Sequence, residues 1–139
     1  MQMPKAGAIA KTPESEKITL NLGFVDLGQI DLLVREGFYS NRSDCIRTAI
    51  RNQIDRHADT VRQVVTQKSV HLGLRRVSRD ELLAAQTAGL MLDLHVLGLT
   101  VIAPDVPADL AKATIGALSV LGALHASDAV KAALADRIT

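Results

Sequence analysis

The sequence predicts an α+β chain built from two unlike parts, and three patterns in it lead there. Ile18, Leu20 and Leu22 alternate with Lys17, Thr19 and Asn21, the period of two that marks a short half-buried strand. Two helical stripes follow, Leu27, Ile30 and Val34, then Ile46, Ala49, Ile50 and Ile54, each at the spacing that lines one side of a helix. Beyond residue 70 a motif recurs after 24 residues: Leu94-His-Val96-Leu97-Gly98 returns as Leu118-Ser-Val120-Leu121-Gly122, and Val106 with Leu110 as Val130 with Leu134.

Taken in order, residues 1–16 read as a flexible arm, whose Lys5 and Lys11 are either solvated or free to brush a phosphate backbone. Residues 17–57 read as one strand and two helices, too little chain to bury a core alone. Gly37 supplies the left-handed residue that ends the first helix. The second restarts at Asn41-Arg42-Ser43-Asp44, where Asn41 suits the N-cap and Asp44 sets negative charge against the exposed amides of the first turn. Free N–H groups, a hydroxyl and a guanidinium converge there, as a phosphate site requires, although a buried helix start would be capped in much the same way. Residues 58–69 keep Val61, Val64 and Val65 at helical spacing without Gly or Pro, so they form a helical connector, either a stiff continuation of the second helix or a frayed end.

Residues 70–139 read as three βα units. The first and weakest copy is Val70-His-Leu72-Gly73 followed by the capping box Ser78-x-x-Glu81, and the later helices open at Pro107 and Ser127. Each unit is expected to be a short strand, a glycine turn and a short helix. Such units stack into a small solenoid-like domain with parallel strands and aliphatic cores; the alternative is a compact βα sandwich such as an ACT-like sensor.

The motif Gly37-x-Tyr39-Ser40-x-Arg42-Ser43-Asp44, the helix Ile46-Arg47-x-Ala49-Ile50 and the polar-faced strand before them resemble the ribbon-helix-helix DNA-binding family of the CopG and Arc type. The resemblance covers residues 17–56. It implies an intertwined homodimer in which two strands form an antiparallel ribbon that enters the major groove of double-stranded DNA. Lys17, Thr19 and Asn21 then become base readers, Arg42 and Ser43 hold a phosphate, and Ile18, Leu20, Leu22, Ile46 and Ile50 form the dimer core. Lys reaches guanine O6 and N7, Asn pairs with adenine, and Thr bonds or touches a thymine methyl. The plain alternative for the three strand residues is the wet side of an edge strand; for Arg47, Arg51 and Arg56 it is a solvated helix face instead of a basic flank.

Composition sets outer limits. A net charge of +1 does not by itself argue for nucleic acid, and residues 1–69 hold ten Lys or Arg against eight acids while residues 70–139 hold six against seven. The basic excess lies in the first half. No matched nucleophile and base, no glycine-rich phosphate loop and no enclosed carboxylate pair is present, so no catalytic residue is assigned and the chain is not read as an enzyme. Phe24, Phe38 and Tyr39 are its only aromatic residues, too few and too clustered for a single-strand stacking platform. Lone Cys45 excludes an internal disulfide, fits a reducing cytoplasm and reads as packing filler. His57, His71, His95 and His125 lack metal-ligand spacing, so neither metal nor other cofactor is expected. The N-terminal apolar run is too short for a signal peptide and no segment suits a bilayer, so the expected location is cytoplasmic, associated with the nucleoid.

The expectation that follows is a sequence-specific transcriptional regulator, a repressor, whose residues 70–139 assemble dimers into tetramers or larger species or else sense a ligand. Two rivals are an antitoxin that autoregulates its operon and an architectural chromosome-binding protein. An antitoxin of this kind ends in a segment that folds on its toxin; an architectural protein occupies many weak sites.

Overall fold

The computed structural model describes residues 15–139, so the expected arm, with Lys5 and Lys11, falls outside the described residues except for Ser15 and Glu16. The chain is α+β and divides into two compact units, residues 15–63 and 64–139. The helices are α1 (Phe24–Arg35), α2 (Arg42–Arg56), α3 (Ala58–Lys68), α4 (Arg79–Ala88), α5 (Ala108–Thr114) and α6 (Asp128–Ala133), and the strands β1 (His71–Val77), β2 (Leu92–Ile102) and β3 (Ile115–His125). No helix among the described residues is long and apolar enough to cross a membrane.

In the first unit α1 ends as the glycine predicts. Gly37 adopts φ 85°, and the Phe38 N–H donates to the Leu33 carbonyl at 3.0 Å while the Gly37 N–H donates to that of Val34 at 3.1 Å. Two of the carbonyls that the last turn leaves without helical partners are thereby satisfied. Helix α2 does not run on as a stiff arm. It stops at His57, whose φ of −102° and ψ of 13° leave the helical region, and α3 starts afresh at Ala58.

Residues 15–23, over which the sequence predicts a strand that pairs between two chains, form neither helix nor strand in the single chain. The reason is physical, since a ribbon strand exists only by hydrogen bonding to a neighbour, and no other segment of this unit is extended. Cys45 is the one buried side chain of residues 15–63.

The second unit is a three-stranded parallel sheet in the order β1-β2-β3, with a helix after each strand. Its core joins Leu94, Val106 and Leu110 to Leu118, Val130 and Leu134, so the 24-residue period is the period of the core itself. Val77, Leu82, Ile102, Ala111 and Ile115 complete it. The helix starts fall where the caps predict: Ser78 accepts from the Glu81 N–H at 3.1 Å, Ser127 accepts from the Val130 N–H at 3.2 Å, and Pro107 precedes α5. The Ser78 box is not reciprocal, because the Glu81 carboxylate turns to Arg75 on β1 and leaves the Ser78 N–H.

The glycines of the repeat are not turns. Gly73, Gly98 and Gly122 stand opposite one another in the middle of the three strands, at φ 118°, 138° and 126°. A Cβ on Gly98 would lie 2.2 Å from the Gly73 carbonyl oxygen, and one on Gly122 would lie 2.0 Å from that of Gly98. Only hydrogen fits between these strands, so each chain passes straight through the position instead of reversing. Side-chain alternation survives the passage: Leu94 and Ile102 on β2, like Leu118, Val120 and Leu124 on β3, all meet the helical core. The outer edge of β3 is partly closed by the chain end, where Leu118 exchanges hydrogen bonds with Arg137 and Thr139. Among the described residues no group of His, Cys, Asp and Glu gathers as metal ligands.

Candidate DNA-binding interface

Residues 17–22 present both of their faces to solvent. Lys17, Thr19 and Asn21 are exposed, and among the described residues their side chains make no hydrogen bond. So are the intervening apolar residues, at 76% for Ile18, 64% for Leu20 and 41% for Leu22. An apolar row this open, on a unit with one buried residue, is an unfinished core. Of the α2 residues expected in the same core, Ile46 is half-buried and Ile50 is exposed, as is Ile54 on the same helix stripe.

The start of α2 is tightly organised. Asn41, with extended φ and ψ, accepts from the Asp44 N–H at 2.8 Å. Asp44 in turn accepts from both the Ser40 N–H and the Ser40 hydroxyl at 3.0 Å, which holds its carboxylate below the usual aspartate range. Among the described residues the N–H groups of Arg42 and Ser43 have no acceptor, and Ser43 is exposed beside them. Two amides and a hydroxyl at the positive end of a helix form a ready anion site.

Arg42 stands differently from the sequence reading. Its Nε and Nη2 donate to the two Asp31 oxygens of α1 at 2.7 and 2.8 Å, a bidentate pair that ties the end of one helix region to the start of the next. The pair lowers the Asp31 pKa and raises that of Arg42, the hydrogen bond being the larger cause in both. Asp31 went unnoticed in the sequence because nothing local marks it; only the turn at residues 36–41 brings it to Arg42. Arg47, Arg51 and Arg56 are exposed and form no ion pair among the described residues.

Asp31 and Asp44 both have folded pKa values below their unfolded ones, so the stability each adds is present above the unfolded aspartate range, about pH 4, and is lost as pH falls through the folded values. The helix start is therefore expected to loosen below about pH 4, read by carboxylate and amide NMR shifts of residues 31 and 40–44. Asp31→Asn should abolish the Asp31 part of that titration and leave the Asp44 part.

Comparison with known proteins agrees with this geometry. The Ribbon-Helix-Helix transcriptional regulator family matches residues 13–131. Transcriptional regulator CdrS of Halobacterium salinarum (strain ATCC 700922 / JCM 11081 / NRC-1) is 36% identical over 44 residues, 32% of this chain and 80% of that relative. No solved structure matches. With most of its length matched, the chain belongs to the ribbon-helix-helix transcriptional regulator family.

Proposed function

We propose that this DNA-binding regulator is a sequence-specific repressor that reads the major groove with a two-stranded antiparallel ribbon, one strand from each of two chains. The observation that carries it is the exposure of both faces of residues 17–22: Ile18, Leu20 and Leu22 close on a second copy, which leaves Lys17, Thr19 and Asn21 on the opposite face for bases. Ser43, with the free amides of Arg42 and Ser43, takes a backbone phosphate and sets the register. Arg42 serves the site from its place on Asp31, positioning those amides, and meets a phosphate only with the nitrogens that the pair leaves over. The buried core of residues 64–139 supports a regulator over an antitoxin, whose terminal segment would wait for a toxin to fold. We read that unit as a three-turn βα stack.

Thr19→Ala and Asn21→Ala should each keep a folded dimer and cost roughly 1–3 kcal/mol of base discrimination, as lost base-edge contacts do. Fluorescence anisotropy on operator and scrambled duplexes reads this, after bound fragments have been mapped in the source cell. Unchanged preference in both variants would remove the strand as reader. Ser43→Ala should weaken binding to both duplexes alike, because a phosphate contact carries no sequence information.

A further inference from the structure

A parallel sheet is ordinarily covered on both faces, and here α4, α5 and α6 pack on one. The alternation that sends Leu94, Ile102 and Leu118 into the core sends Leu72, Leu74, Leu97, Leu99 and Leu121 to the other face. They form two rows on either side of the glycines, and Leu121 is 66% exposed, Leu72 61% and Leu74 50%. Polar residues bound the leucines at both ends of the strands: Asp93, His95 and Ser119 at one, Arg76 and His125 at the other. Asp93 and Arg76 are exposed, and neither has an ion-pair partner among the described residues.

We infer that this leucine face docks on the same face of a second copy of the chain, about a two-fold axis lying across the strands. Such an axis turns one sheet end for end on the other. It sets leucine rows on leucine rows and brings the Asp93 end of each sheet to the Arg76 and His125 end of its mate, whereas an axis along the strands would set acid against acid. A small three-stranded face buries less than a free-standing interface needs, so the contact relies on the local concentration that ribbon dimers already provide. To that extent it rests on the dimeric reading of residues 17–57.

The test uses the full chain. Leu97→Cys, near the proposed axis, should be cross-linked between chains by a short bismaleimide, while wild type, whose Cys45 is buried, should not. Adding Leu121→Asp should abolish that cross-link yet leave light-scattering mass at two chains or more and operator binding on a single site intact. Asp93→Arg alone and Arg76→Asp alone should each weaken the cross-link about two- to five-fold, as exposed ion pairs allow, and the double reversal should restore it. Light scattering of wild type shows whether the two copies belong to one ribbon dimer or to two. Absence of the Leu97→Cys cross-link, or a double reversal no better than the single ones, overturns the inference and gives the face to another partner. Loss of the ribbon dimer would appear separately, as monomeric mass and lost DNA binding in a chain whose leucine face is unchanged.

Discussion

Alanine at Gly98 or Gly122 will strongly destabilise the second unit. The added methyl would sit 2.2 or 2.0 Å from a backbone oxygen of the adjacent strand, and no side chain stands there to swing aside. The strands would have to part at the middle of the sheet, and alanine would also be forced to φ near 138° or 126°. A backbone region this close to glycine-only costs about 1–3 kcal/mol before the clash is counted, and losing the strand pairing adds to it. Gly73→Ala is the control: its φ of 118° carries the same strain, but its Cβ would meet nothing within 4 Å. Urea unfolding followed by circular dichroism should rank the three with Gly73→Ala mildest, a loss of about 1–3 kcal/mol from strain alone. Equal losses at all three positions would show that conformation, not the close approach, governs the ladder.

Ile50→Asp should eliminate the dimer and DNA binding together. In the single chain Ile50 is 49% exposed, so a carboxylate there would be nearly neutral, within about 0.5 kcal/mol, if residues 15–63 stood alone. In a shared core each pair of chains would bury two unpaired charges, at about 3–5 kcal/mol apiece. Light scattering and anisotropy on the same sample separate these outcomes. A soluble variant of dimeric mass that still binds its operator would remove Ile50 from the interface. Ile46→Asp should behave alike, though Ile46 is already half-buried within the chain, so part of its effect would fall on the single chain.

The helices were legible because their signals are local. Gly37, Asn41, Ser78 and Ser127 act within a turn of the residues they cap, and each is found where its chemistry places it. The core of the second unit was legible through the repeat, since identical spacing puts Leu94 and Leu118, or Leu110 and Leu134, in equivalent places. What was hidden depends on distance in sequence. Arg42 looked free until α1 placed Asp31 against it. The three glycines looked like turns because glycine marks turns far more often than it marks close strand contact, and only the register of all three strands tells the two apart. Residues 17–22 show the opposite case: their alternation is plain, but no strand of the described chain pairs with them.

The single buried side chain of residues 15–63 also has a consequence for dosage. A DNA reader completed only by pairing is supplied by mass action, so well below the pairing constant its concentration follows the square of the number of chains. Halving expression would then leave a quarter of the readers, and doubling it would give four times as many. A regulator of this kind switches its target over a narrower range of its own abundance than a monomeric reader of equal affinity would.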